Sequence, residues 1–225
     1  RRRHTRYISV TGVQTCALPI SQGSLYSWGA NVAGALGLGN ATYYSSPKQI
    51  GALKTWKSIT TAGYHSSAIK SDGTLWAWGY GANGRLGLGT TNSYSSPKQV
   101  GVLTNWLQVS AGYYHGMAIK TDGTLWAWGQ NGVGQLGLGN TTNYSSPVQV
   151  GALTNWSKIV AAVTSSIAIK TDGTLWSWGY NASGQLGLGN TTQYSSPKQV
   201  GALTNWATIS CVTSGAIATK TDGTL

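Results

Sequence analysis

The acidic side chains are the first candidates for chemistry, and all of them belong to four aspartates. These aspartates recur at a step of 50 residues, each before a glycine and a threonine: Asp72, Asp122, Asp172 and Asp222. Two neighbouring carboxylates can serve as general acid and base. An isolated Asp-Gly instead favours a turn in which the carboxylate accepts hydrogen bonds from nearby backbone. We therefore predict structural turns at three pairs of positions: Asp72 and Gly73, Asp122 and Gly123, and Asp172 and Gly173.

Histidine and cysteine are too scarce to build a metal centre or an activated nucleophile. His65 and His115 recur in two copies only, and Ser165 and Gly215 replace them further along. Without glutamate or a cysteine cluster, a metal would find too few ligands. Serine, histidine and aspartate show no spacing that builds a triad. We predict hydrogen-bonded structural histidines and no catalytic, metal-binding or cofactor-binding residue.

The glycine-rich Gly134–Gly139 segment and its copies resemble phosphate-binding loops only in their glycine content. No Gly-Lys-Ser/Thr follows them, and no strand-loop-helix pattern surrounds them. We interpret these glycines as places where backbone passes close to backbone.

Two recurring residue types are candidates for binding a partner. Lysines follow the proline of three copies, and a tyrosine precedes that proline in all four. An arc of lysines attracts a polyanion, and exposed tyrosines suit protein or sugar recognition. The candidate interaction residues are Lys48, Lys98, Lys198, Tyr44, Tyr94, Tyr144 and Tyr194.

The element that positions all these residues is a 50-residue repeat. Copies run over 21–70, 71–120, 121–170 and 171–220, and a fifth begins at 221–225. In copies two to four, Asp-Gly predicts a tight two-residue hairpin turn with positive φ angles. The Leu-Trp-x-Trp that follows alternates like a strand, which places both tryptophans on one face. We expect Trp78, Trp128 and Trp178 to fill seams between repeats.

Four short strands per copy match the content of a propeller blade. A blade is apolar on both faces, so its neighbours must cover it. The fold class predicted is all-β: a partial β-propeller of about four blades, each a four-stranded antiparallel sheet.

These motifs together resemble the regulator of chromosome condensation repeat. The resemblance rests on Asp-Gly-Thr-Leu-Trp-Ala-Trp-Gly, Gly-Gln-Leu-Gly-Leu-Gly-Asn, Pro-x-x-Val and Ala-Gly-Tyr-His (62–65), and covers 21–225. It implies a propeller of typically seven blades. The loss of the histidine in two copies departs from the family pattern.

Three functional hypotheses remain open. The first is a non-catalytic scaffold whose loops bind a protein or another macromolecule. The second, implied by the family resemblance, is guanine nucleotide exchange on a small Ras-like GTPase. The third is multivalent carbohydrate binding, because equal sites at equal spacing add by avidity.

Residues 1–20 differ from the repeats, and they look like a translated sequencing adapter. We treat them as a non-native leader and expect the chain to be a fragment of a longer open reading frame. Removing the four leader arginines leaves 11 basic and 4 acidic residues, a net of +7. No apolar run approaches the roughly 18 residues of a membrane helix. The compartment is unknown, although an extracellular or cell-surface location fits the sequence.

Overall fold

A computed structural model describes residues 15–20, 23–53, 55–212 and 215–224 of the chain. Strands make up nearly all of its regular structure, joined by turns and two short 3-10 turns, Val32–Gly34 and Ala82–Gly84. The strands are β1 (Thr15–Ile20), β2 (Ser24–Gly29), β3 (Tyr44–Gln49), β4 (Trp56–Ala62), β5 (His65–Lys70), β6 (Leu75–Gly79), β7 (Tyr94–Gln99), β8 (Trp106–Ala111), β9 (His115–Lys120), β10 (Leu125–Gly129), β11 (Tyr144–Gln149), β12 (Trp156–Ala161), β13 (Ser165–Lys170), β14 (Leu175–Gly179), β15 (Tyr194–Gln199), β16 (Trp206–Val212) and β17 (Gly215–Lys220). Within the described ranges, no helix is long and apolar enough to cross a membrane.

The strands form successive antiparallel sheets in chain order. Three sheets have four strands, β4–β7, β8–β11 and β12–β15. Before them lies the three-stranded sheet β1–β3, and after them the pair β16–β17. The first strands β4, β8, β12 and β16 contact one another, as do strands nearest a propeller axis. The described residues therefore form an arc of a β-propeller, which confirms the predicted fold class.

The sheets and the repeat copies are out of phase. The copy boundary at 70/71 falls inside the hairpin that joins β5 to β6, whose residues pair from Ile69↔Leu75 to His65↔Gly79. Each copy therefore supplies the outer half of one sheet and the inner half of the next. Such an arrangement ties neighbouring sheets together covalently.

Strand β1 lies within the segment that we set aside as an adapter-derived leader. Its backbone pairs with β2 over six residues, from Thr15↔Gly29 to Ile20↔Ser24. This strand occupies the position in its sheet that β5 has in the next. Residues 1–14 and 21–22 lie outside the described residues, and the origin of the leader stays a prediction.

Each sheet has two ends that differ in the connections they carry. The "turn end" carries the Asp-Gly hairpins and the connections between sheets, such as 71–74 and 100–105. The "loop end" carries the tight 63–64 connection, the long 80–93 loop and their copies at 50-residue steps. A five-residue strand separates the two ends by about 17 Å.

The Asp-Gly hairpin differs from the predicted two-residue turn. Lys120 N–H donates to Thr124 O at 3.0 Å and Gly123 N–H donates to Lys120 O at 2.9 Å, which closes a three-residue loop. Only Gly123 has a positive φ, +77°. The Asp122 Oδ1 atom accepts bonds from Thr124 N–H at 3.0 Å and Thr124 Oγ1 at 2.7 Å. This carboxylate bonding favours a type I turn followed by glycine, so the two-residue prediction was wrong.

The tryptophans hold neighbouring sheets together. Trp78, Trp128 and Trp178 are at most 1% exposed. Each donates its indole Nε1–H to a carbonyl in the loop that follows β2, β6 or β10 of the preceding sheet: Ala35 at 2.9 Å, Arg85 at 3.0 Å and Gln135 at 2.9 Å. The Trp128 ring also packs with Ile69, Leu75 and Leu86 of that preceding sheet. The seam thus combines apolar packing with one directional bond.

A glycine pair tests how tightly a seam is packed. Gly137 (φ +76°) would place a Cβ 2.7 Å from Trp178 Nε1, whereas at Gly187 (φ +67°) the nearest atom is Val200 Cγ1 at 3.5 Å. Alanine suffers about 1–2 kcal/mol of backbone strain at either site. We expect Gly137→Ala to lower the free energy of unfolding by about 1–3 kcal/mol more than Gly187→Ala, through overpacking.

Urea denaturation followed by tryptophan fluorescence measures this difference. Gly187→Ala is the matched control because it changes the same residue at nearly the same φ. Equal losses from the two substitutions would show that the seam at Gly137 relaxes around an added methyl group.

Candidate functional site

The predicted tyrosines and lysines lie together on the outer strands. Each tyrosine begins its strand and is half-buried, and the lysine four residues later places its Nζ over the tyrosine ring. The Nζ-to-centroid distances are 5.6 Å for Lys48 and Tyr44, 5.7 Å for Lys98 and Tyr94, and 5.4 Å for Lys198 and Tyr194. Tyr144 has Val148 at the lysine position. Each of these lysines thus makes a cation–π contact with the tyrosine of its own copy. The role of these lysines and tyrosines in binding a partner stays a prediction.

A second set of lysines is built into the sheets. The Nζ atoms of Lys70, Lys120 and Lys170 lie 3.4, 3.5 and 3.6 Å from the ring centroids of Trp76, Trp126 and Trp176. Burial lowers the pKa of each lysine, and the nearby aspartate of the turn partly offsets it. Each of these lysines makes a close cation–π contact with an indole ring, so we assign them a structural role in the sheets.

The two histidines are fully buried in β5 and β9. Ser166 Oγ donates to Gln135 O at 2.7 Å and lies 2.9 Å from His115 Nε2. Because the serine hydroxyl has only one proton, His115 Nε2–H must donate to Ser166. His65 would need the same partner 51 residues later, and that residue is Gly116.

The missing hydroxyl leaves both ring nitrogens of His65 without a hydrogen-bond partner among the described residues. The prediction of a hydrogen-bonded histidine was therefore wrong for His65. The pKa of both histidines is lowered to about 3, chiefly by burial, and for His65 the nearby Arg85 and His115 contribute to this lowering. Both rings are neutral at pH 7 and make no general base facing solvent.

A cavity opens at three of the seams between successive sheets, those that lie before β4–β7, before β8–β11 and before β12–β15. Three equivalent cavities have volumes of about 390, 240 and 310 Å³. We call them the seam cavities, and their shared walls are two tryptophans and a rim leucine: Leu53, Trp56 and Trp76; Leu103, Trp106 and Trp126; Leu153, Trp156 and Trp176. A Ser-Pro pair from the outer strand, such as Ser146–Pro147, closes each one.

Sequence reasoning missed the rim leucines. Leu53, Leu103 and Leu153 are 51%, 44% and 47% exposed, so each presents apolar surface beside a cavity. Their 50-residue recurrence after a glycine was visible in the sequence. Nothing in that pattern showed that the leucine meets tryptophans from the next sheet.

The described residues contain no cluster of three or more histidine, cysteine, aspartate or glutamate side chains suited to a metal ion. Cys211 in β16 is half-buried, and burial raises the pKa of its thiol to about 11. A thiol with that pKa stays protonated at pH 7 and is a weak nucleophile.

The sheets, their tryptophan seams and the inner strands near a common axis define a propeller protein. The family model for the RCC1-like domain matches residues 2–225. The chain therefore belongs to the RCC1-like domain family, as its repeat motifs indicate. A comparison with curated proteins gave no match.

Solved structures with the same fold support this assignment. Human WBSCR16 is 22% identical with a TM-score of 0.80, over 92% of this chain and 57% of that chain. Yeast RCC1 (Prp20) bound to Kap60 is 20% identical with a TM-score of 0.76, over 87% and 49%. Prp20p from Saccharomyces cerevisiae, described with its binding to Gsp1p and histones, is 19% identical with a TM-score of 0.75, over 87% and 50%. The chain thus spans about half the length of these structures.

The buried histidines predict how stability depends on pH. In the unfolded chain a histidine binds a proton near pH 6.5, whereas the folded rings stay neutral down to about pH 3. The unfolded state therefore binds more protons as pH falls between these values, and the fold loses stability. We expect the melting temperature to fall from about pH 6.5 to pH 4.

Substituting both histidines with serine, the residue of the third copy at position 165, should flatten this slope. Hydrogen bonds from the following threonine are the chief cause that lowers the pKa of each aspartate. The aspartates therefore change the stability of the fold only when the pH falls below their usual pKa of 3.8. Circular dichroism melts across this pH range provide the measurement. A slope that is unchanged in the double variant would assign the pH dependence to other groups.

Proposed function

We propose that the chain is a non-catalytic binding module that holds a protein partner through its seam cavities. The observation that carries this proposal is the threefold repetition of the cavities. Each is large enough for one side chain and is walled mainly by tryptophan, leucine, proline and glycine. Aromatic and aliphatic walls around a small recess favour an apolar side chain as occupant.

The related structures agree with a role in protein binding. Yeast RCC1 (Prp20) was solved with Kap60 bound, and Prp20p was described with its binding to Gsp1p and histones. Those partners belong to those proteins. For this chain they support only the general expectation that propellers of the family present surfaces to other proteins.

The two other hypotheses have less support from the residues. Nucleotide exchange needs a surface that distinguishes one blade from the others, and the three seam cavities, being alike, do not provide it. Carbohydrate sites orient sugar hydroxyls with several polar groups, whereas the polar side-chain groups among the residues lining the second cavity are the Ser146 hydroxyl and the indole N–H groups of Trp106 and Trp126. Both hypotheses are alternative outcomes of the experiment that tests the proposal.

The rim leucines provide the test. We expect the full chain to enrich peptides with apolar side chains from a random peptide library displayed on phage. Leu103→Asp should weaken binding of an enriched peptide about tenfold, because it removes apolar contact and adds a charge to be desolvated. Combining it with Leu53→Asp and Leu153→Asp should weaken binding further if the peptide spans several cavities.

Leu107→Asp is the matched control, since Leu107 is 47% exposed on β8 and lines none of the three seam cavities. Calorimetric titration of each variant gives the affinities. No enrichment from the library, combined with hits on a glycan array, would replace the proposal with carbohydrate binding. Faster release of labelled nucleotide from a small GTPase would replace it with exchange activity.

A further inference from the structure

A group of tyrosines surrounds a buried arginine at the loop end of the arc. Tyr64 packs edge-on against Tyr80 and Tyr113, with ring centroids 6.5 and 5.7 Å apart. Tyr113 in turn packs against Tyr114 at 4.6 Å. Tyr80 is 40% exposed and the other three are half-buried. We call these four residues and Arg85 the tyrosine–arginine surface.

Arg85 connects the two sheets that carry the tyrosines. Its Nε donates to Ala82 O at 2.9 Å, and its Nη1 donates to Tyr113 O at 3.0 Å. The guanidinium carbon lies 4.9 Å from the Tyr80 ring centroid and 5.3 Å from that of Tyr114. These contacts hold the Tyr113–Tyr114 turn beside Tyr80, although Tyr113 lies 28 residues after Arg85 along the chain.

The repeat does not need these residues for folding. At the next seam, 50 residues further on, Gln130, Gln135, Val163 and Thr164 stand where Tyr80, Arg85, Tyr113 and Tyr114 stand here. The carbonyl of Gln135 accepts the seam bond from Trp178 just as that of Arg85 accepts it from Trp128. Among the four copies, this combination of three tyrosines and one arginine occurs only here, so the surface is specific to one seam.

The charge of Arg85 has no counterpart at this end of the arc. All four carboxylate side chains of the sequence belong to the Asp-Gly turns at the turn end, about 17 Å away. The ring of His65 beneath the surface is neutral, as is that of His115. The guanidinium bonds only carbonyl oxygens and aromatic faces, so its positive charge is not cancelled.

We infer that the tyrosine–arginine surface binds an acidic segment of a protein partner. Tyrosine hydroxyls donate hydrogen bonds to carboxylates, their rings provide apolar contact, and the uncompensated charge of Arg85 favours an anion. Tyrosine is also among the residues that most often dominate protein interfaces, whereas Arg85, only 3% exposed, acts on the partner through its charge. This inference rests on the proposed protein-binding function and adds a second surface, at the opposite end of the sheets from the rim leucines.

The experiment uses a labelled poly-glutamate peptide, with poly-lysine of equal length as the probe of opposite charge. Fluorescence anisotropy with the full chain should show binding of poly-glutamate only. Arg85→Gln, which installs the residue found at position 135, should weaken that binding about tenfold. Tyr113→Val with Tyr114→Thr, which copies the third repeat, should weaken it at least as much.

Lys98→Gln is the charge-matched control, because it removes one positive charge from the outer strand and leaves the surface intact. Melting temperatures of the variants close to that of the unchanged chain establish that they fold. Equal losses from Lys98→Gln and Arg85→Gln would overturn the inference in favour of diffuse attraction by the lysines. Absence of poly-glutamate binding to the unchanged chain would also overturn it.

The two proposals fail in different ways. If Leu103→Asp abolishes binding of library peptides while Arg85→Gln leaves poly-glutamate binding intact, the seam cavities stand and this surface does not. If Arg85→Gln abolishes poly-glutamate binding and no rim substitution affects any peptide, the surface stands and the seam cavities do not.

Discussion

The bond between a tryptophan of one sheet and a loop carbonyl of the sheet before it is the interaction on which the rest of this structure depends. Trp128 illustrates it: the indole is completely buried, and its N–H reaches Arg85 O, 43 residues earlier. Burial of one tryptophan removes about 150–250 Å² from water, and an unbonded indole N–H in that position would offset part of the gain. Apolar packing supplies the stability, and the hydrogen bond fixes the position of each sheet relative to the sheet before it.

The same seam explains the glycines and the cavities. A Cβ at Gly87 would lie 3.0 Å from Nε1 of the Trp128 indole. The loop can therefore pass the ring only where it has no side chain. Toward the turn end the loop leaves the ring, and the space between Trp106, Trp126 and Leu103 stays open. Because one geometry is repeated, the cavities recur with nearly the same walls. Any function that uses them uses several equivalent sites.

Polarity along the sheets distinguishes the two ends of the arc. The aspartates lie at the turn end because Asp-Gly is needed to close the hairpin there. No turn at the loop end requires a carboxylate, so a single arginine can dominate its charge. The fold thus requires similar residues at the turn end of each sheet but allows the residues of the loop end to differ between copies. The tyrosines and Arg85 are one such difference.

Several features were predictable from residues close together in the sequence. The 50-residue period, the Asp-Gly hairpins and the alternation of Leu-Trp-x-Trp predicted an all-β propeller correctly, since each depends on local backbone preference. The prediction of a two-residue turn was wrong because the Asp122 carboxylate accepts hydrogen bonds from Thr124 and favours a three-residue loop. The prediction of a hydrogen-bonded His65 was wrong because the partner position lies in another sheet and is occupied by Gly116.

What the sequence determined by itself is the repeating unit: the lengths of the strands, the places where they turn and the faces on which the tryptophans lie. Only the tertiary structure decided which residues of different copies meet. Leu103 lines the same cavity as Trp126, and Arg85 donates to Tyr113 O, across separations of more than 20 residues that no local pattern connects. Contacts between sheets depend on how whole sheets pack, and that packing is settled by the shape of the seam rather than by any local pattern.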